Sequence, residues 1–144
     1  MLNTKYSVFD CQIIHFPKVH NRSGNLTSIQ NMIEVPFSIK RVYYLYDVPG
    51  GESRGGHGHR KLEQVIIAAS GSFDITLDDG KNKKTINLNR PYFGLHVLPG
   101  MWRDISNFSS GAICLVLASE LYSDIDYIRD YSTFLIEKQQ NENP

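Results

Sequence analysis

Short runs of apolar residues alternate with turn-forming residues along most of the chain. From residue 64 to residue 118 these runs recur at intervals of about 8 to 12 residues, a spacing typical of an all-β sandwich or barrel. The predicted strands cover 64–69, 72–77, 84–88, 93–98, 102–108 and 112–118. Asp79 and Gly80 predict a hairpin turn between the second and third of these strands, because this dipeptide tolerates the positive φ that such turns require.

Three further strands are predicted nearer the N-terminus, over residues 6–16, 26–33 and 39–48. The segment 20–26 is rich in turn-forming residues, and Gly24 can adopt positive φ there. The third strand is dense in β-branched and aromatic residues, and its period of two places Arg41, Tyr43 and Leu45 on one face. That face is either the solvated side of an edge strand or the lining of a barrel. In the second case Arg41 and Tyr43 become candidates for substrate contacts.

The period of the pattern changes after residue 123. Between Asp124 and Lys138 the apolar residues recur at spacings of three and four, with acidic residues at the start and the lysine near the end. This pattern predicts one amphipathic helix over about 124–139, whose apolar face packs on the barrel. No repeat or linker interrupts the preceding strands, so residues 1–144 are predicted to form a single domain. The predicted fold class is all-β, with one C-terminal helix.

Composition excludes several classes of function. The 144 residues carry 15 basic and 15 acidic side chains, and a formal net charge of zero argues against a general nucleic-acid binder. No apolar run approaches the ~20 residues of a membrane span, and no signal peptide is recognisable. Cys11 and Cys114 lie far apart beside apolar neighbours and are expected to be buried free thiols. We therefore expect a cytoplasmic protein with neither nucleic acid nor membrane as a partner.

Candidate chemistry is concentrated in residues 51–71, where two histidines stand one residue apart. On an extended segment His57 and His59 point the same way, because strand side chains alternate between faces. A single histidine is more often a hydrogen-bonded or solvated structural residue. Two in register, flanked by three glycines that let a backbone or ligand approach closely, favour a functional site.

The spacing around the pair resembles the first motif of the cupin superfamily, a small antiparallel β-barrel or jelly roll in which two histidines and a glutamate project inward. Here Glu63 follows His59 by four residues. The second cupin motif is matched downstream by Gly94, Pro99, Gly100 and Asn107. The resemblance implies a barrel of this type.

One position departs from the metal-binding cupins. Their pattern places a third histidine four residues before the asparagine, and this sequence has Arg103 there. A guanidinium stays protonated and offers no lone pair, so it would repel a cation placed between the histidines. We therefore predict no metal and no other cofactor. Two imidazoles, a carboxylate and a fixed positive charge suit proton transfer on an anionic or carbonyl-bearing substrate.

Four strings carry a closer resemblance: FSIKRVYYLYDV, SRGGHGHRKLEQV, GLHVLPGMWRD and LVLASELYSDIDYIRDY. Together they are similar to the sugar 3,4-ketoisomerases, WxcM-like cupins that act on dTDP-4-dehydro-6-deoxyglucose. The similarity runs from about Pro36 to Phe134 and covers most of the chain. This family resembles a metal-free branch of the cupins, in keeping with Arg103. His96 departs from it, since an aromatic residue such as tyrosine is expected at that position.

The resemblance implies an isomerase that moves a ketone from C4 to C3 of a dTDP-linked 4-keto-6-deoxyhexose. Its product would feed the synthesis of 3-amino-3,6-dideoxy sugars for surface glycans such as lipopolysaccharide. Removal of the C3 proton gives an enediolate, and C4 is then reprotonated. His57 and His59 are the implied base and acid, because imidazole titrates near neutral pH. Which histidine does which stays open, and a homodimer that shares a strand or helix is expected.

The resemblance also distributes roles among the other polar residues. Arg103 is expected to stabilise charge on the enediolate oxygens, with a salt-bridged structural arginine as the alternative. Arg41 and Arg54 are candidates for the diphosphate, because a planar guanidinium matches phosphate oxygens bidentately. The further candidates for substrate binding are Tyr43, Glu63 and Gln64. The glutamate would hold one imidazole in a fixed tautomer, or it would be a surface charge.

Two other functions stay open at this point. One is a metal-dependent cupin enzyme, such as an oxygenase, that uses His57, His59 and Glu63. The other is a non-catalytic sugar-binding module. An epimerase of the related cupin type would be a close variant of the isomerase itself. The C4 configuration of the product, gluco or galacto, also stays open, with Arg103 and the loop around Ser23 implied to decide it.

Overall fold

The computed structural model describes residues 5–142 and confirms an all-β fold with one C-terminal helix. One antiparallel sheet contains β1 (Ile13–His15), β4 (Arg41–Leu45), β6 (Gln64–Ser70), β9 (Phe93–Val97) and β11 (Ile113–Ala118), in the order β1-β9-β6-β11-β4. The other contains β5 (Arg54–His59), β7 (Phe73–Asp78), β8 (Lys83–Leu88), β10 (Trp102–Ser106) and β12 (Tyr127–Ile128), in the order β12-β5-β10-β7-β8. A separate hairpin pairs β2 (Val19–Asn21) with β3 (Gly24–Leu26). The prediction of a single domain covers residues 1–144, so its two ends lie outside the described residues.

The core lies between the two sheets and follows the period of two. On β7 the side chains of Phe73, Ile75 and Leu77 are fully buried, while the residues between them are half-buried. They pack in one cluster with Ile66 and Val116 from the other sheet. Burial of side chains of this size stabilises the fold by about 1.5–3 kcal/mol each. The strand predictions from residue 64 to residue 118 are confirmed with shifts of one or two residues at their ends.

The outer face of the first sheet is also apolar where the N-terminal part of the chain covers it. Val65 and Ile67 of β6 pack there against Phe16, Val35 and Phe37. A strand buried on both faces reads as a continuous apolar run, which explains the sequence of β6.

Two of the N-terminal strand predictions are wrong in extent. Residues Val8–Asp10 form a 3₁₀ turn capped by Ser7, so that only Ile13–His15 pairs as a strand. No strand is assigned within 27–33, where side chains bond the backbone locally. Glu34 accepts from the Gln30 amide over 2.6 Å, and such bonds compete with sheet pairing.

The C-terminal helix begins later than its pattern predicts. The helix α1 spans Tyr131–Glu142 and starts after Asp130, whose carboxylate accepts from the Thr133 amide over 2.9 Å. Upstream, residues 124–126 form a 3₁₀ turn, and Ile125, expected on the buried face, is 85% exposed. The prediction of a helix over 124–130 is wrong because Tyr127–Ile128 pair with β5 instead.

The helix packs on the second sheet through Phe134, which is buried against Trp102 and Ile128. Within residues 5–142, no helix combines the length and the apolar character needed to cross a membrane. Cys11 and Cys114 are buried and free, as predicted.

Candidate active site

A pocket of about 230 Å³ lies between β4, β5 and β10 and brings together residues that are far apart in the chain. Five of the predicted site residues line it: Arg41, Tyr43, Arg54, His57 and Arg103. Leu45, Gly55, Tyr122 and Tyr127 complete the lining. Three guanidinium groups around one small cavity create a site suited to an anionic ligand.

The alternation of β4 determines which of its side chains reach this pocket. Arg41 and Tyr43 are half-buried in the pocket wall, whereas Val42 and Tyr44 are exposed on the opposite face of the strand. The face that carries the arginine and the tyrosine therefore lines the barrel, and the alternative of a solvated face does not apply.

Arg103 is held in the wall of the pocket by β10, where it stands opposite His57 of β5. Its side chain is 2% exposed, and Nη2 donates to the Tyr43 hydroxyl over 2.9 Å. Gln64, fully buried at the start of β6, donates to the same hydroxyl over 2.8 Å. Gln64 is thus brought to the site through Tyr43 and does not line the cavity itself.

Gly55 makes room for the Arg103 guanidinium. A Cβ atom at this position would lie 2.8 Å from Arg103 Nη1, and the glycine has a φ of +78°. Residues with a side chain rarely adopt that conformation. Close by, the pairing of β10 with β5 shifts register between Arg103 and Ile105. The glycine and the irregularity together let a large cation approach the strand that carries the histidines.

The two histidines point to the same side of β5 but occupy different depths. His57 is half-buried and lines the pocket, whereas His59 is 3% exposed and lies behind it. Their ring centroids are 4.7 Å apart, edge to face. Tyr127 packs against both rings, at 5.0 Å from His57 and 4.5 Å from His59. His57 therefore forms part of the cavity wall, and His59 lies deeper on the same side of the strand.

Burial keeps both imidazoles neutral. Desolvation, reinforced by the positive charge of Arg103, lowers the pKa of His57 to about 2. Desolvation also lowers the pKa of His59 to about 4, although Asp126 opposes that change. Nε2 of His57 and both ring nitrogens of His59 are buried without a hydrogen-bond partner within residues 5–142. Neutral rings with unpaired nitrogens can accept a proton from a ligand.

Glu63 does not lie with these histidines, and its predicted role beside them is wrong. Its Oε1 atom accepts from Nε2 of His96 over 2.9 Å. Gln64 points into the barrel, so the preceding residue points away from it. The carboxylate beside the catalytic candidates is that of Asp126, whose Oδ2 lies 3.6 Å from Nδ1 of His59.

Sequence reasoning missed Tyr122, Asp126 and Tyr127 as site residues. Their signal was present, since all three lie in the string LVLASELYSDIDYIRDY, which carries part of the family resemblance. Because residues 124–130 were predicted to be helical, these side chains were not expected at the pocket: a helix packed outside the barrel would not place them there.

A metal ion, which cupins at large usually bind, does not fit the residues of this site. In the described part of the chain, no group of three or more His, Cys, Asp or Glu side chains could hold one. The position that would complete a cupin metal site carries the buried Arg103, whose charge opposes a cation beside His57.

The chain is similar over most of its length to known sugar isomerases. The family described as FdtA, WxcM-like, C-terminal matches residues 9–139. The TDP-4-oxo-6-deoxy-alpha-D-glucose-3,4-oxoisomerase of Aneurinibacillus thermoaerophilus is 45% identical over 123 residues, which cover 85% of this chain and 88% of that protein.

Solved structures of similar proteins share the fold. A 3,4-ketoisomerase from Helicobacter canadensis is 47% identical, with a TM-score of 0.88 over 90% of this chain and 98% of that one. QdtA, a sugar 3,4-ketoisomerase from Thermoanaerobacterium thermosaccharolyticum solved with TDP, is 40% identical, with a TM-score of 0.91 over 94% and 98%. A mutant of that enzyme was solved with TDP-4-keto-6-deoxyglucose. This chain belongs to the FdtA, WxcM-like family and is an isomerase.

Proposed function

We propose that this protein is a nucleotide-sugar 3,4-ketoisomerase that converts dTDP-4-dehydro-6-deoxyglucose to its 3-keto isomer. The observation that carries the proposal is the convergence of His57, Tyr43 and Arg103 on one pocket, with Arg41 and Arg54 in its lining. The solved complexes of related enzymes with TDP and with TDP-4-keto-6-deoxyglucose support this choice of substrate.

The chemistry begins with His57. The proton on C3 is acidic because it is α to the C4 carbonyl, and a neutral imidazole at the pocket wall can remove it. The resulting enediolate is reprotonated at C4, while the O3 proton is transferred to O4. The ketone then stands at C3, and no net proton is gained or lost. His59, directly behind the first ring, is the second proton carrier.

Arg103 and Tyr43 stabilise the charge that develops in between. The guanidinium and the hydroxyl are hydrogen-bonded to each other at the pocket wall, next to the strand that carries His57. Preorganised donors of this kind lower the barrier of an enolate-forming step by about 3–4 kcal/mol each. In this proposal the donors contact O3 and O4 of the sugar.

The diphosphate is bound by Arg41 and Arg54. Arg54 is exposed at the start of β5, where it can reach a ligand that extends out of the cavity. Arg41 lies deeper, over the rings of Tyr43 and Tyr122 at 5.0 and 5.5 Å. A cavity of about 230 Å³ suits the hexose better than the whole nucleotide sugar, so the diphosphate lies at its mouth.

Incubation with dTDP-4-dehydro-6-deoxyglucose in deuterated water, followed by NMR, tests the proposal. We expect the C4 carbonyl signal to be replaced by a C3 carbonyl signal, and the spectrum also reports the C4 configuration. His57→Asn should abolish the conversion, whereas His15→Asn, at an exposed position of β1, should not affect it. Unchanged substrate in the presence of the folded wild-type protein contradicts the proposal, and an inverted carbon with an unmoved ketone indicates an epimerase.

Two measurements address the alternatives. Metal analysis of the purified protein tests the metal-dependent enzyme, which requires stoichiometric iron, manganese or zinc. A non-catalytic sugar-binding module would bind TDP without converting any substrate.

The proposed product would supply the synthesis of 3-amino-3,6-dideoxy sugars for surface glycans, which requires an aminotransferase that accepts the C3 ketone. The buried free thiols of Cys11 and Cys114 fit a cytoplasmic location, where thiols stay reduced.

We also propose that two copies form a homodimer. The edge strand β4 exposes Val42 and Tyr44, and the hairpin of β2 and β3 exposes Val19 and Leu26. Exposed apolar surface of this kind is typical of interaction sites, and a second copy presents the same surface under two-fold symmetry. Light scattering on the eluting protein should give twice the mass of the chain, and the mass of one chain would contradict the homodimer.

A further inference from the structure

We infer that Asp126 is a positioning residue for His59: its carboxylate holds a proton on Nδ1, leaves Nε2 free to accept one, and stabilises the imidazolium that results. The inference rests on the proposed ketoisomerase function. When His59 takes up at Nε2 the proton that His57 has removed from the sugar, the Nδ1 proton stays on the ring and Asp126 remains a carboxylate. The proton returns through His57, which lines the cavity and whose ring centroid lies 4.7 Å from that of His59, later in the same turnover, so no net proton is gained.

The geometry places the carboxylate at the right nitrogen. Oδ2 of Asp126 lies 3.6 Å from Nδ1 of His59, and the two side chains are 13% and 4% exposed. Within residues 5–142, Nδ1 has no hydrogen-bond partner, although it is buried. A buried ring nitrogen without a partner is costly, and the Asp126 carboxylate lies within ion-pair distance of it.

The carboxylate is fixed independently of the histidine. Oδ1 accepts from the Lys61 amide over 2.6 Å, and Oδ2 accepts from the Leu62 amide over 3.2 Å. The Arg60 amide donates to the backbone carbonyl of Asp126 over 3.0 Å. These bonds attach the 3₁₀ turn to the loop that follows β5, so Asp126 is already in place before a ligand arrives.

The C-terminal helix helps to hold the 3₁₀ turn against this loop. Arg60 makes a bidentate ion pair with Glu137 of α1, at 3.1 and 3.0 Å, and its Nη1 also donates to the carbonyl of Ile125. Next to the turn, β12 pairs with β5, with Tyr127 opposite His59. Rigid support of this kind is what a positioned catalytic group requires.

The charges around His59 favour its neutral form, and Asp126 opposes them. The ring is surrounded by His57, Tyr127, Asp126 and, at longer range, the cations Arg41 and Arg103. Burial is the main reason why the pKa of His59 is low, Asp126 raises that pKa, and the two arginines lower it. Burial disfavours the carboxylate form of Asp126, but the adjacent His59 ring and the hydrogen bonds from the loop amides outweigh it, so its pKa is below the ordinary value.

The test compares Asp126→Asn with Asp124→Asn. Both replace a carboxylate on the same 3₁₀ turn, but Asp124 is exposed and pairs with Arg129. NMR of the resting protein, labelled with ¹⁵N-histidine, reports the protonation of each ring nitrogen, and His59→Gln identifies the His59 signals. We expect Nδ1 of His59 to be protonated at pH 7 in the wild type and in Asp124→Asn. In Asp126→Asn we expect a mixture of tautomers and a lower pKa of His59.

Turnover is the second readout. Asp126→Asn should lower kcat roughly 100-fold with KM unchanged, because the missing interaction acts in the proton-transfer step. Asp124→Asn should retain the wild-type kcat. Unaltered ¹⁵N signals of His59 in Asp126→Asn, or a kcat equal to that of Asp124→Asn, would overturn the inference. Failure of the proposed function is recognised separately, since the wild type would then convert no substrate while the ¹⁵N measurement still reports on Asp126.

Discussion

Arg103 donates a hydrogen bond to the Tyr43 hydroxyl over 2.9 Å, at the wall of the pocket that His57 also lines. Gln64 donates to the same oxygen over 2.8 Å. Neither a guanidinium nor an amide nitrogen accepts a hydrogen bond, so the proton of the tyrosine hydroxyl has to point elsewhere. Since Tyr43 lines the pocket, that proton is available to a ligand bound there.

Replacement of Tyr43 by phenylalanine tests this relationship. We expect kcat/KM to fall about 100-fold, within the range that a positioned proton donor contributes. Arg103 and Gln64 would also lose a buried acceptor, so the free energy of unfolding should fall by about 1–3 kcal/mol. Steady-state kinetics and urea denaturation measure the two effects.

Tyr46→Phe is the matched control, because Tyr46 is exposed just beyond the end of the same strand. It loses a hydroxyl without loss of a buried acceptor, and its kcat/KM should equal that of the wild type. Full activity in Tyr43→Phe would show that its hydroxyl does not act on the substrate.

Gly55→Ala should displace Arg103. The new Cβ would lie 2.8 Å from the guanidinium, and a misplacement of ~1 Å is enough to lower the rate roughly 100-fold. Gly51→Ala is the control, since Gly51 has a similar φ of +86° but nothing within 4 Å of its Cβ position. Both variants should lose about 1–2 kcal/mol of stability from backbone strain, and only Gly55→Ala should lose kcat/KM. Equal activity in the two variants would be evidence against a catalytic position for Arg103.

The pH dependence of kcat/KM should lack the acid limb of an ordinary histidine. Burial, with Arg103 in addition, lowers the pKa of His57 to about 2, so the base stays neutral far below the reference pKa of about 6.5. An anionic substrate raises the pKa of a nearby imidazole, so the acid limb of kcat should lie at higher pH than that of kcat/KM. Initial rates in constant-ionic-strength buffers measure both profiles. A limb of kcat/KM near pH 6.5 would mean that the ring is solvated.

Stability should decrease as the solution is acidified below about pH 6.5. The pKa of the buried His59 is lowered to about 4 in the folded protein, whereas in the unfolded chain it is about 6.5. Between these values the unfolded state binds more protons. The free energy of unfolding therefore decreases by up to about 1.4 kcal/mol for each unit by which the pH is lowered, for this residue alone. Urea denaturation between pH 7 and pH 4 gives the slope.

A substitution series assigns that slope. His59→Asn should reduce it, although the substitution itself destabilises the protein. His15→Asn should leave the slope unchanged, because His15 is exposed. The same slope in all three proteins would contradict the assignment to His59.

The strands between residues 64 and 118 were predictable because their signal is local. Side chains such as Phe73 and Ile75 alternate with polar neighbours whatever the rest of the chain does, and the period of two survives in the structure. The segment 124–130 was not predictable in this way. Its spacing fits a helix, but the free edge of β5 offers Tyr127–Ile128 backbone partners that no local pattern reveals.

The sequence by itself determined the chemistry of this protein: two histidines on one strand, a permanent cation in place of a third, and a family resemblance that extends over most of the chain. Tertiary structure decided which side chains share a cavity. It turned Arg41 and Tyr43 inward, placed His59 behind His57, and put Asp126 where Glu63 had been expected. Motif spacing fixes distances along one strand, whereas neighbours across strands depend on sheet order and register, which the whole chain determines.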